Sequence, residues 1–471
     1  MLFRSIAKPV ATAPTPIPVT DRSTTIQAYD MVAPYTQNWN LEVQREIVQN
    51  TTVEIRYIGT KGTKLWGGIP LNNVEIFTNG ILDAFNVTRA GGDALLFTQM
   101  LMGINIGGGA GIVNGTTVTG SQALRTNSTT RAWIANGSVG QLADYLNRNP
   151  AGTTQNGGLL RRNGFPENYI VLNPQFNTVT LRGNPANSTY HSMQLQLTKR
   201  LSHGFTQSAS YVWSKAIGES ETDGGATYRD PRNRSLDKTL LGYDQTHAIV
   251  SNGTWELPFG PNRAFLGNAP SWVSRLVEKW QLGGIFNWHS GNPLQISTNL
   301  TTLTQTLTNN GISPDVVGNF PHSMGNVTKT ASGVFYFPGL LQIPDPTTNV
   351  TSLQGTNTAV TNKAITDAQG NLLLVNPKPG TIGTLGLNPI VGPSYSELDV
   401  NLIKRVRIAE TKEFQIRVDA INVLNHPNFS DPTTANLNIN STGFGSITAT
   451  RGTLTSATGS RMFLTSLRLN F

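Results

Sequence analysis

The stretch RMFLTSLRLNF, Arg461 to Phe471, decides the fold of this chain. Phe463, Thr465, Leu467, Leu469 and Phe471 fall on one side of an extended segment, and Met462, Leu464, Ser466, Arg468 and Asn470 on the other. A repeat of two marks a β-strand, because a helix would scatter the same apolar residues around its circumference. A tilted strand of roughly ten residues also spans a hydrocarbon layer. Two readings follow: a strand with one face in lipid, or the last strand of a soluble sandwich.

The same alternation recurs upstream. TQNWNLEVQREIV puts Trp39, Leu41, Val43 and Ile47 on one face, with Arg45 breaking the row, and TTVEIRYIGT places Val53, Ile55 and Tyr57 opposite Glu54 and Arg56. A turn at Gln49–Asn50 joins them into a hairpin. STYHSMQLQLTKRL and FTQSASYVWSKAI form a second, turning at His203–Gly204, with Met193, Leu195 and Leu197 facing as Phe205, Ala209, Tyr211 and Trp213 do. HAIVSNGTWELPFG is less regular: Ala248 and Val250 are out of phase with Trp255 and Leu257, which suggests a bulge at Asn252–Gly253. KWQLGGIFNWHSG aligns Trp280, Leu282, Phe286 and Trp288. SELDVNLIKRVRI and KEFQIRVDAINVLN make a further hairpin, aligning Leu398, Val400, Leu402 and Val406 with Phe414, Ile416, Val418, Ala420 and Leu424.

Composition agrees with many strands. Charged residues are 13% and hydrophobics 38% of 471 residues, with 47 glycines and no cysteine. The absence of cysteine excludes disulfides, thiol catalysis and Cys-ligated zinc. The net charge of +8 is scattered rather than clustered, so a nucleic-acid partner is not expected. No run of 18 apolar residues is present, so no transmembrane helix is expected. MLFRSIAKPVATAPTPIPVT reads poorly as a secretory signal.

Nine main strands result, and their connections alternate between short or moderate (49–50, 202–204, 258–278, 408–412) and long (61–187, 217–243, 292–395, 425–459). Such alternation marks an up-and-down barrel with turns on one rim and long loops on the other. Asp93 to Ile104 is expected to form a short helix within the first long loop. If Phe471 sits at the periplasmic rim, parity sends all four long connections outside. The fold expected is all-β: a partial antiparallel transmembrane β-barrel. Nine is odd, whereas single-chain bacterial barrels have even strand numbers, so the expectation is a C-terminal portion of a larger barrel.

In order, APYTQNWNLEVQREI, VEIRYIGTKGTKL, YHSMQLQLTKRLSHGFTQSASYVWSKAI, WQLGGIFNWHSGNP, LDVNLIKRVRIAETKEFQIRVDAINVLNHPNF and GSRMFLTSLRLNF resemble the Oar-like TonB-dependent outer-membrane receptors, from about Pro34 onward. The resemblance implies a bacterial outer-membrane location and a parent barrel of about 22 strands preceded by a signal peptide, a small β domain and a plug. This chain then reads as residues 1–35, an irregular Pro/Thr-rich outer-loop segment, and 36–471, the C-terminal barrel portion, without signal peptide or plug. Energy coupling in the family runs through the plug, so autonomous energised transport is not expected. Phe463, Leu467, Leu469 and Phe471 resemble the C-terminal signal read by the barrel-assembly machinery. The expected partners are outer-membrane lipid and that machinery, with the TonB system reached only through a plug absent from this chain and the transported substrate unknown.

Signals for chemistry are weak. The six histidines are dispersed, no HExxH or GxSxG occurs, and GTKGTK at Gly59–Lys64 lacks phosphate-loop spacing and reads as a strand-end turn. Glu219, Glu221, Asp223 and Asp230 supply oxygen ligands suited to calcium, but their spacing matches no complete site, and a solvated acidic loop is preferred. No enzyme, cofactor, catalytic residue or metal site is expected. The functions in contention are a segment of a transport receptor whose outer loops form a substrate vestibule and, as the alternative, a surface-exposed β-rich adhesin or binding module. The adhesin would fold around a two-sided core without lipid.

Overall fold

The computed structural model describes residues 23–109, 111–151, 157–220, 228–305, 312–320, 325–347, 362–408, 412–452 and 459–471. Nine strands form one antiparallel sheet with neighbours in chain order: β1 (Tyr35–Val48), β2 (Thr51–Pro70), β3 (Val179–Ser202), β4 (Phe205–Gly218), β5 (His247–Glu256), β6 (Trp280–His289), β7 (Tyr395–Arg407), β8 (Glu413–Ile421) and β9 (Met462–Asn470). Among the described residues the outer edges of β1 and β9 are unpaired, so the sheet does not close.

The register carries the apolar rows straight across the sheet. Val43 lies opposite Ile55, Ile55 opposite Leu195, Leu195 opposite Tyr211, Tyr211 opposite Ile249, and Ile249 opposite Trp288. Further along, Phe286 meets Leu398, Ile416 meets Leu467 and Phe414 meets Leu469. One residue along each strand, the other face reads Gln44, Glu54, Gln196, Ser210, Val250, Asn287 and Glu397. Among the described residues no second sheet covers the apolar face: Leu41, Val43, Ile55, Met193, Leu195, Trp213, Trp255, Leu467 and Leu469 are all exposed, and Phe471 is 87% exposed. A soluble sandwich would bury this face against a second sheet. Each such side chain would gain roughly 1–2 kcal/mol on entering hydrocarbon.

Aromatic side chains gather at both ends of the apolar band. Trp39, Tyr57, His191, Trp213, His247 and Trp288 lie toward the rim of long connections; Phe205, Trp255, Trp280, Phe414 and Phe471 lie toward the rim of short ones. From Trp280 to Trp288 the strand runs for about 27 Å, or about 20 Å of height at a tilt of about 40°, close to the band of about 25 Å that a barrel presents to lipid. Several polar atoms on this face find partners. Tyr57 Oη and His191 Nδ1 share a hydrogen bond of 2.8 Å, Tyr211 Oη and His247 Nδ1 another of 2.8 Å, and Gln207 Nε2 donates to Ser251 Oγ at 2.6 Å. Gly59 is required by Trp39, whose indole lies where a Cβ would stand.

The two-residue turns form as expected at Gln49–Asn50 and His203–Gly204, where Asn50, His203 and Gly204 take positive φ. Several expectations need correction. Gly59–Lys64 is not a strand-end turn: it lies inside β2, whose register shifts between Gly62 and Gly67 while Lys64 takes φ 54°. There is no bulge at Asn252–Gly253, because β5 pairs without interruption on both sides and Ala248 and Val250 simply face the polar side. β8 stops at Ile421, as Asn422 turns to φ 47° and buries its amide on His426 O and Gly459 O, so Leu424 is not in the strand. Within 1–35, read as irregular, Thr24–Gln27 pairs in parallel with Val179–Arg182, while residues 1–22 lie outside the described residues.

The first long connection is the largest departure. β2 and β3 extend beyond the band to Pro70 and Val179, and between them stand helices α1 (Ile81–Arg89), α2 (Leu95–Leu101), α3 (Gly120–Thr126), α4 (Ser128–Asn136), α5 (Val139–Arg148) and α6 (Gly158–Arg162). The expected helix at Asp93–Ile104 is α2. Its neighbours were not anticipated, although Ile81, Ala84, Phe85 and Thr88 in α1 and Val139, Leu142, Ala143 and Leu146 in α5 are buried at helical spacing. Thr119 caps α3 by accepting from Gln122 N, and Asn127 caps α4 by accepting from Thr129 N and Thr130 N.

Candidate functional site

The long connections of the sheet all leave one rim, and there they pack into a single cap. Its first core joins α1–α6 to Leu303, Ile312 and Ile382 of the third long connection. Its second joins Leu294, Ile296, Tyr336, Ile365, Leu374 and Ile390 of the third to Leu437, Ile439 and Ile447 of the fourth. Buried and half-buried polar clamps cross the same seams. Gln305 accepts from Val74 N at 3.0 Å and donates to Asn72 O at 2.8 Å. Asn388 Nδ2 donates to Leu240 O at 2.7 Å, and Gln342 Nε2 to Ile439 O at 2.7 Å. Gln305 is satisfied where water is excluded, so breaking one of its partners costs about 1–3 kcal/mol, and the half-buried Asn388 and Gln342 bonds cost less.

The second long connection is held by an ion pair. Arg229 Nε meets Asp237 Oδ1 at 2.9 Å with both side chains buried, and Arg229 Nη1 donates to Ser313 Oγ at 3.1 Å. Burial pushes the Asp237 carboxyl up from its ordinary range, against the opposing pull of Arg229. Tyr228 donates to Glu219 Oε2 at 2.7 Å; burial, followed by that carboxylate, raises its hydroxyl pKa. Asp230 pairs with Arg232 at 2.8 Å. Of the four acidic residues considered for calcium, Glu219 and Asp230 are thus engaged, while Glu221 and Asp223 lie outside the described residues. Among the described residues no group of three His, Asp or Glu is placed to hold a metal ion.

Two clefts open within the cap. One of about 330 Å³ sits where β6 enters it, lined by Trp288, Ser290, Asn326, Tyr336, Val391 and Pro393. Tyr336 Oη donates to Val391 O at 2.5 Å, and burial, then Asp431, raises its pKa. The other, of about 140 Å³, lies between the first, second and third long connections, lined by Glu75, Phe77, Asp230, Arg232, Leu303 and Thr304, with the Arg232 guanidinium 4.0 Å from the Phe77 ring centroid. The first is near the lower size limit for a small-molecule site and the second falls below it. Neither was legible in the sequence: the first brings together residues up to about a hundred positions apart within the third long connection, and the second joins residues of three connections.

Below the cap, the polar face carries charged pairs: Arg56 with Glu42 at 3.0 Å, Arg417 with Asp419 at 2.8 Å, and Arg405 with Glu413 at 4.0 Å. Pairs this exposed contribute about 0–1 kcal/mol each, so their effect is to make the face hydrophilic rather than to hold the sheet. The four terminal residues singled out in the sequence, Phe463, Leu467, Leu469 and Phe471, stand exposed on the apolar side of the last strand or just beyond it.

A family model described as an outer membrane beta barrel domain matches residues 3–462. No curated protein matches the chain. Among solved structures, the outer membrane transporter YddB from Escherichia coli is similar at 10% identity, covering 96% of this chain and 34% of that one with a TM-score of 0.35. FpvA of P. aeruginosa, solved with heterologous pyoverdines, is similar at 8% identity, covering 94% and 28% with a TM-score of 0.30. The chain thus spans about a third of the length of these solved proteins.

Proposed function

The chain belongs to the outer membrane beta-barrel domain family, and we propose that it serves as part of the wall and outer mouth of a TonB-dependent receptor of the Oar-like type. Its place is the bacterial outer membrane. The observation that carries the reading is the division of labour across the sheet: a bare apolar face, a polar face on the other side, and every long connection gathered into one cap at one rim.

In this reading the polar face lines a water-filled interior, the cap stands outside the cell, and its cleft at Tyr336 contacts the transported substrate. The unpaired edges of β1 and β9 would each leave backbone groups unsatisfied in lipid at several kcal/mol apiece, so further strands complete the wall. Energised transport then belongs to the completed receptor and its plug, and this chain is a conduit rather than an enzyme. Phe463, Leu467, Leu469 and Phe471 present the assembly signal. An adhesin folding without lipid would need a second layer over the apolar face.

Orientation is tested by single cysteines in this cysteine-free chain. Ser332→Cys in the cap should react with a membrane-impermeant maleimide on intact cells, and Asn262→Cys at the opposite rim only after lysis. The reverse pattern would refute the proposal.

A further inference from the structure

The connection between β5 and β6 leaves the short rim, where a barrel of this kind needs only a tight turn, yet it carries helix α7 (Ser271–Val277). The helix lies on the apolar side of the sheet. Lys404, in the apolar row between Leu402 and Val406, donates from Nζ to Arg275 O at 2.8 Å and to Glu278 O, and Trp280 Nε1, from the same row, donates to Leu276 O at 2.9 Å. The Lys404 ammonium also stands 5.5 Å from the Trp280 ring centroid. These contacts pin the C-terminal end of the helix to the outer surface of the wall and give a cation in an apolar row its hydrogen-bond acceptors.

What the helix turns away from the wall is apolar. Ser274 is buried, donating to Ala269 O at 3.0 Å, while Trp272 and Leu276 are 72% and 64% exposed. Phe265 and Leu266 of the preceding segment are exposed beside the same rim, and Arg275 and Lys279 stand exposed among them. Two large apolar side chains on so short a helix, flanked by cations and continuous with the lower aromatic belt at Trp255 and Trp280, match the boundary between acyl chains and phosphate headgroups. Further wall strands cannot cover them, because β5 and β6 are paired on both sides in the middle of the sheet.

We infer that α7 is an interfacial anchor. Trp272 and Leu276 insert at the headgroup–acyl boundary of the leaflet at the short rim, with Arg275 and Lys279 on lipid phosphates. The inference rests on the lipid-facing reading of the wall and adds a membrane-surface contact made outside it.

An environment-sensitive fluorophore on a single cysteine at 272 or 276 tests it, with the full chain in phosphatidylethanolamine–phosphatidylglycerol vesicles. Labels at 262 and 195 serve as water-exposed and wall controls. The expected result is loss of about half the emission at 272 and 276 to phospholipid carrying a nitroxide near the headgroup, with iodide quenching several-fold weaker than at 262. Iodide quenching equal to that at 262 overturns the inference, as does a label quenched by neither agent, which would mean that protein covers the helix. If 195 is quenched by phospholipid carrying its nitroxide deep in the acyl chain and 272 is quenched by neither nitroxide lipid, only the anchor fails; if 195 is not quenched by the deep nitroxide either, the lipid-facing reading of the wall fails with it.

Discussion

Leu195→Arg is the sharpest perturbation of the wall. Leu195 sits midway between His191 and Lys199 on β3, between Ile55 and Tyr211 on the flanking strands, and is 40% exposed on the apolar face. An arginine at that depth costs about 2–4 kcal/mol, or about 30- to 700-fold in the folding equilibrium. Gln196→Arg is the matched control, one residue along on the polar face and opposite Glu54 and Ser210. It sacrifices one marginal side-chain hydrogen bond to Thr198 at 3.5 Å and places the new cation across from a carboxylate, so its effect should stay within about 0.5 kcal/mol. Urea titrations of the chain folded into phospholipid vesicles, followed by tryptophan emission and protease protection, compare the two directly. If the apolar face stood in water, Leu195→Arg would merely exchange one exposed side chain for another. Equal midpoints for the two variants, with equal slopes, would refute the lipid-facing assignment.

Other outcomes follow from the same geometry. Phe471→Ala removes a terminal side chain from the lipid side, so the stability of vesicle-folded protein should fall by no more than about 1–2 kcal/mol while its yield in cellular outer membranes falls severalfold; equal yields would count against an assembly role. Leu142→Ala empties a fully buried position in α5 at a cost of about 2–5 kcal/mol. It should speed proteolysis within 71–178 while leaving β1–β9 protected, and loss of wall protection would contradict the separation of cap from wall. In the turn Asp367–Asn371, the Asn371 side chain and then backbone N–H groups hold the Asp367 carboxyl below its ordinary range. The stabilisation is complete above the unfolded carboxylate pKa and is lost as pH falls through the lower folded value. Hydrogen-exchange protection over 363–375, taken relative to the intrinsic exchange rate at each pH, should therefore fall on acidification below that range, and Asp367→Asn should remove that fall.

The wall was legible because a strand with one face in hydrocarbon and the other in water must alternate, and the alternation survives in the sequence from Trp39 to Leu469. β5 misled because Ala248 and Val250 are apolar residues on the polar face, where small side chains carry little penalty. Only the pairing with β4 and β6 fixes their direction. The cap was largely missed for a different reason. Helical spacing is present in α1 and α5, but Gly- and Asn-rich segments separate the helices, and the core that Leu142 joins includes Leu303 and Ile382 from another connection. The clefts at Tyr336 and at Phe77–Arg232 have no local signal, since the first joins residues far apart within the third connection and the second is assembled across three connections.

The central claim is that alternate residues of each strand meet lipid and water. Nitroxides placed singly at positions 193 to 198, in a chain without native cysteine, test it through their accessibility to oxygen and to an aqueous nickel reagent in vesicles. The account predicts oxygen-accessible, nickel-shielded labels at 193, 195 and 197, alternating with the reverse at 194, 196 and 198. Uniform nickel accessibility, or accessibility without a period of two, would contradict it.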